Sequence, residues 1–216
     1  DTNIQTLSDP LFSRQKYQNK IDVLNQKTQG KLIIKEYPTA SANANHFKSL
    51  LNELSLKKGF KPHIIFVDYL NICASSRYKG NIVNSYTYVK SIAEELRGLA
   101  GEFNVPIVSA TQTTRSGYGN SDVELTDTSE SFGLPATADI MFALISTEEM
   151  ENLNQIMVKQ LKNRYNDPTM NKRFVLGIDR AKMRLYDCDQ AQQNIVDSGQ
   201  EVVDMPIKKS FAELKV

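Results

Sequence analysis

Asp68 closes the apolar run Ile64-Ile65-Phe66-Val67, which is entered from Pro62 and His63. Such a run reads as a strand buried on both faces, the kind found in parallel sheets. A carboxylate at the C-terminal end of that strand stands where open α/β sheets bind ligands, and an Asp there can hold the Mg²⁺ of a bound nucleotide. The plainer alternative is an Asp that caps a turn. Gln112 follows a second run, Val105 to Ala110. A neutral amide in that place can hydrogen-bond a terminal phosphate or the attacking water, or it simply faces solvent. Lys162 and Arg164 alternate onto one side at the end of a late strand, ahead of the turn Asn166-Asp167-Pro168. An arginine given across a subunit boundary stabilises charge on a phosphoryl group in transfer. The competing reading is a solvated edge hairpin on which lysine discourages aggregation. The chemistry these residues share is phosphoryl transfer, yet its cradle is missing. No Gly-x-x-x-x-Gly-Lys-Ser/Thr occurs, and Gly30-Lys31 is followed by Leu32 and has Asn25 where the first glycine belongs. The chain reads as an ATPase domain that begins after its phosphate loop. Asp1 in place of Met is expected of a truncated or cleaved product.

The elements that must position these residues alternate. Residues 10–29 suggest a surface helix, and Lys31 to Tyr37 alternates toward a strand that stops at Pro38. Phe47, Leu50, Leu51 and Leu54 fall at helical spacing, and Gly59 ends that helix. After the strand at 63–69 comes a polar loop, 72–84, with Arg77 and Lys79. The segment 85–103 is the clearest helix: Val89, Ile92, Ala93, Leu96, Leu99, Ala100 and Phe103 line one face, with Lys90, Glu94, Glu95 and Arg97 largely on the other. A long loop, 113–135, rich in Ser, Thr, Asp and Gly, follows the second strand; loops of that length are usually functional or mobile. Asp139 to Ile145 is a further strand, and 155–161, 172–178 and 182–186 read as consecutive strands in hairpins. This order predicts an α/β fold: right-handed crossovers, a mostly parallel sheet with helices on both faces, and a late antiparallel hairpin extension. The expected division is a domain at 1–186 and a polar tail at 187–216.

Composition sets outer bounds. A chain of 216 residues can bury one substantial core. Its net charge of +1 advertises no basic surface, although a pore can be locally basic on a neutral subunit. Cys73 and Cys188 have neither pairing nor metal spacing, which fits a reducing cytoplasm. No apolar run approaches membrane-spanning length. His46 and His63 are expected to be structural. The loop residues Thr113, Thr114, Arg115, Ser116, Gly117, Tyr118, Gly119 and Asn120 could meet DNA phosphates through hydroxyls, backbone N–H groups and one guanidinium. By composition a merely flexible loop fits equally.

Four segments fall in a familiar order: Phe66-Val67-Asp68-Tyr69-Leu70-Asn71, Ser109-Ala110-Thr111-Gln112-Thr113-Thr114-Arg115-Ser116, Ala138-Asp139, and Lys159-Gln160-Leu161-Lys162-Asn163-Arg164. From about Lys31 to Asp187 the chain resembles the RecA-like motor domain of DnaB-family replicative helicases, in the form found in T-even-type bacteriophages. The resemblance implies a RecA-like three-layer core using ATP and Mg²⁺, with Asp68 as the Walker B aspartate and metal partner, and Gln112 as the γ-phosphate sensor. It makes Arg164 an arginine finger, with Lys162 its companion, both serving the adjacent subunit's nucleotide. It turns the loop after Gln112 toward single-stranded DNA, with Arg115, Ser116, Gly117, Tyr118, Asn120, Glu130 and Ser131 as contacts, joined by Arg77 and Lys79. It further implies a homo-hexameric ring in the cytoplasm (the host's, if phage-encoded) that works with primase and other replisome proteins. The family's catalytic glutamate and amino-terminal domain have no counterpart here, and Thr126-Asp127-Thr128-Ser129-Glu130-Ser131 lacks the arginine that bacterial relatives carry. The chain alone is therefore expected to be inactive. Two other readings stand beside this one: a catalytically inactive RecA-like module that only binds a partner or DNA, and a recombinase or other RecA-fold ATPase acting in recombination.

Overall fold

A computed structural model describes residues 3–8, 13–78, 83–113, 133–167 and 170–189. Helix α1 (Arg14–Lys27) starts where the Ser13 hydroxyl accepts from the Lys16 N–H at 3.2 Å, and it buries no residue, as expected of a surface helix. Helix α2 (Ala44–Lys58) begins with a capping box. The Asn43 side chain accepts from the His46 N–H, and the Asn43 N–H donates back to His46 Nδ1 at 3.2 Å. His46 is thus structural, as its sequence context implied. Gly59 closes the helix at φ 58°, a left-handed conformation that costs glycine no steric clash.

Strands β1 (Ile65–Val67) and β2 (Ile107–Ser109) pair in parallel, with Ile65 opposite Ile107 and Val67 opposite Ser109. The connection between them is helix α3 (Ser85–Phe103), a crossover of the kind parallel strands require. Its apolar stripe is buried: Val89, Ile92, Ala93 and Leu96 pack with Leu70, Cys73 and Leu134 into a first core, flanked by Phe47, Val67, Tyr88 and Ile107. Leu134 belongs to α4 (Gly133–Thr137). The chain then runs through β3 (Ile140–Ile145), α5 (Glu148–Asn152), β4 (Gln155–Asn163), β5 (Arg173–Asp179) and β6 (Arg184–Asp187). These strands form an antiparallel meander in the order β3-β4-β5-β6. Ala143, Ile145, Met150, Met157 and Val175 make a second core beneath it. Gly177 lies opposite Tyr186, where an added Cβ would run into the ring, so only glycine lets the tyrosine cross the sheet.

Three expectations need adjustment. Lys31 to Tyr37 forms no strand; Leu32 and Ile34 are 85% and 84% exposed. A strand exists by pairing, and no described segment pairs with this one. The parallel strands are not buried on both faces, since Phe66 is 69% exposed and Ile64 and Val108 are also open. Helix α3 covers one side of the pair, and no described residue covers the other. Among the described strands the parallel part is two and the antiparallel part four. The hairpin extension is thus the larger piece of sheet here.

Candidate nucleotide and subunit-facing site

The parallel register sets Asp68 and Gln112 at neighbouring strand ends, one residue past Val67 and three past Ser109. Four hydrogen bonds stitch those ends together. The Ser109 hydroxyl donates to the Val67 carbonyl at 2.8 Å, and the Leu70 N–H donates to the Ala110 carbonyl at 3.1 Å. The Thr111 hydroxyl donates to Asn71 Oδ1 at 2.9 Å, and Gln112 Nε2 donates to the Tyr69 hydroxyl at 3.2 Å. Asp68 itself is exposed, and its carboxylate has no hydrogen bond or ion pair among the described residues. Mg²⁺ needs only one or two carboxylates beside phosphate oxygens and waters. A free carboxylate next to a positioned amide fits that demand.

Behind this edge, the turn after the short 3₁₀ segment Leu70–Ile72 is fastened to α3. The Ser75 hydroxyl donates to Glu95 Oε1 at 2.6 Å, the Ser76 N–H donates to the same carboxylate at 2.9 Å, and the Tyr88 hydroxyl accepts from the Ser75 N–H at 3.1 Å. Burial pushes the Glu95 carboxyl up, but the donors from Ser75, Ser76 and Arg77 outweigh it and hold the group below the ordinary glutamate range. Arg77 leaves this turn exposed, with its guanidinium 2.6 Å from Glu94 Oε2.

Lys162 and Arg164 do come together at the far end of β4. Lys162 Nζ donates to the Pro135 carbonyl at 2.5 Å and Arg164 donates to the Ala136 carbonyl at 2.8 Å. Arg97 of α3 donates to the next carbonyl, Thr137, at 2.6 Å. Three consecutive carbonyls at the close of α4 thus receive three cations. Asp139 Oδ1 lies 2.8 Å from Arg97 and 3.2 Å from Arg164. Burial first, and the neighbouring Arg164 charge second, push the Lys162 ammonium below its usual range, against the pull of Asp139.

Sequence reasoning missed Tyr69, Asn71, Glu95, Arg97 and Asp139 as parts of this architecture. Ala138-Asp139 had been singled out, but without a role; Glu95 reads as a solvated helix charge until the Ser75 turn is folded against it. Lys79, Arg115, Ser116, Gly117, Tyr118, Asn120, Glu130 and Ser131 lie outside the described residues, as do residues 190–216 of the tail. Among the described residues there is no cluster of three or more metal-ligand side chains, and no helix is long and apolar enough to cross a membrane.

Residues 2–176 match the family of the DnaB-like helicase C terminal domain. The chain is 44% identical over 191 residues to the DnaB-like replicative helicase of Enterobacteria phage T4, covering 88% of this chain and 40% of that protein. It is 27% identical over 149 residues to the replicative DNA helicase DnaB of Mycoplasma pneumoniae, covering 67% of this chain and 31% of the relative. The chain therefore spans less than half the length of these two relatives. Among solved structures, one described as an ATPase domain superposes with a TM-score of 0.69 at 18% identity, over 87% of this chain and 66% of that one. A DnaB-like replicative helicase studied with primase superposes equally well, with a TM-score of 0.69 at 17% identity, over 87% of this chain and 46% of its own. At such identities the two structures speak for the fold alone, and that fold is the RecA-like arrangement that the resemblance implied.

Proposed function

Because the chain belongs to the DnaB-like helicase C-terminal domain family, we propose that it is the later part of the motor of a hexameric, ATP-dependent replicative helicase, which moves on single-stranded DNA and unwinds duplex at the fork. The observation that carries the reading is the stitched edge at the neighbouring ends of β1 and β2, which bears the Asp68 carboxylate, unpartnered among the described residues, and the Gln112 amide held by Tyr69. Asp68 is the metal partner. Bound Mg²⁺ supplies charge neutralisation on the phosphates of ATP. Gln112 addresses the γ-phosphate, and its hydrogen bond to Tyr69 couples it to the loop after β1. Arg164, with Lys162, serves the nucleotide of the adjacent subunit. The residues that would meet DNA are Arg77, Lys79, Arg115, Ser116, Gly117, Tyr118, Asn120, Glu130 and Ser131. Arg77 exchanges Glu94 for a phosphate when it does so. Primase and other replisome proteins are partners of the whole ring, which works in the cytoplasm, the host's if the chain is phage-encoded.

The test uses a protein that joins this chain to a phosphate-loop half. Asp68→Asn should lower ATP hydrolysis about a hundredfold or more and stop strand displacement on a forked duplex. Nucleotide affinity should change only slightly, because the phosphate cradle is intact. Near-normal turnover would make Asp68 a turn-capping residue and remove the reading.

A further inference from the structure

We propose that Asp139 is the positioning residue of Arg164, holding its guanidinium at the end of β4 so that part of the fork is left open to a neighbouring subunit. The inference rests on the reading of Arg164 as an arginine that acts in trans, and it adds the device that aims it.

The geometry is doubly restrained. The Arg164 N–H donates to the Asp139 carbonyl at 3.0 Å, and its guanidinium meets the Asp139 carboxylate at 3.2 Å. The same carboxylate oxygen is held from the other side by Arg97 at 2.8 Å. Arg97 is anchored on the long helix α3, so Asp139 cannot swing with the end of the strand. Around it, the carbonyls of Pro135, Ala136 and Thr137 receive Lys162, Arg164 and Arg97 in order.

Two facts separate aiming from simple charge balance. A guanidinium has five N–H donors in a fixed fork. Arg164 spends NH1 and NH2 contacts on Asp139 and Ala136, and its side chain remains 44% exposed. The restraint therefore leaves part of the fork presented to solvent. Second, the clasp joins α3 and α4, whose stripe and Leu134 line the first core, to β4 above the second core. A cation that must reach across a subunit boundary loses less entropy on arrival if its orientation is already set.

The experiment is run on assembled rings that contain this chain and a phosphate loop. Asp139→Asn removes the charge with little change in shape. The expected result is a fall in kcat of about tenfold, the usual worth of a hydrogen bond to a charged group, with KM for ATP unchanged. In an Arg164→Ala background the same change should add nothing. In rings mixed with phosphate-loop mutants, Asp139→Asn subunits should recover hydrolysis as Arg164→Ala subunits do, since both defects then sit with the donated arginine. If Asp139→Asn fails to fold, Asp139→Glu keeps the charge and displaces the fork, and kcat should fall with ring assembly and Tm preserved. An unchanged kcat, or a slowing that persists in the Arg164→Ala background alongside a lower Tm, would overturn the proposal while leaving the helicase reading in place. Arg164→Ala with no recovery in mixed rings would take away both.

Discussion

At the end of β1 the Asp68 carboxylate stands open and unpartnered among the described residues, whereas at the end of β4 each cation is already tied down, Lys162 and Arg164 to α4 carbonyls and Arg164 again to Asp139. The difference matches what the proposed function asks of each end. An open carboxylate is suited to a metal ion that brings its own waters and phosphates. A long cationic side chain would otherwise sample many rotamers, so it is useful only when its direction is fixed in advance. On the proposed function, one end receives and the other delivers. Between them, α4 belongs to the first core through Leu134 and to the cation clasp through its closing carbonyls.

The sharpest way to break this comparison is Arg164→Ala. Loss of a trans arginine is expected to cost roughly a thousandfold in turnover at saturating ATP. Mixing such subunits with phosphate-loop mutants should restore hydrolysis at interfaces where an intact loop meets an intact arginine. A residue acting within its own subunit would give no more than the two variants assayed apart. A second test addresses the receiving end by itself. Calorimetry on residues 1–216 should find ATP·Mg²⁺ binding weaker than roughly 1 mM, because Asp68 completes a site whose cradle the sequence does not contain. Tight, Mg²⁺-dependent binding would show that the open carboxylate is not half of a site but most of one.

Smaller effects sharpen the picture. Tyr69→Phe removes the acceptor of the Gln112 amide and should lower kcat by about fivefold, with KM for ATP held. Equal loss in a Gln112→Ala background would detach the tyrosine from the sensor. Glu95→Gln, behind the same edge, should reduce Tm by about 3 °C at neutral pH. The Glu95 carboxyl is depressed in the folded chain, so its contribution is present above the ordinary glutamate range, near 4.5, and is lost as pH falls through the lower folded value. Thermal melts of the wild type and the variant should therefore converge as the pH is taken below the ordinary glutamate range. A gap that persists there would point to shape rather than charge at that position.

Much of this architecture could be read from residue order. The run before Asp68, the run before Thr111 and the stripe of α3 each carry their periodicity on the surface of the sequence, and all three elements form where that periodicity puts them. Lys31 to Tyr37 has the right alternation too, but alternation only states what a segment would do with a partner. The burial of β1 on both faces failed for the same reason. Residue types alone could bring Lys162 and Arg164 to one side of a strand. They could not show that Pro135 and Ala136, nearly thirty residues upstream, would turn their carbonyls to meet them. Nor could they show that Glu95 would leave the solvated face of α3 to hold the Ser75 turn. Contacts between backbone carbonyls and distant side chains leave no pattern in a sequence, because every residue has a carbonyl.

The face of the β1–β2 pair that no described residue covers bears on how the chain behaves by itself. Ile64, Phe66 and Val108 lie open there, and on β3 the residues Ile140, Phe142 and Leu144 are open as well, Leu144 by 67%. Uncovered apolar side chains on short strands are sticky to other chains and to themselves. Concentrated solutions of the chain should scatter light and bind hydrophobic dyes, and a cell should hand such a polypeptide to its chaperones.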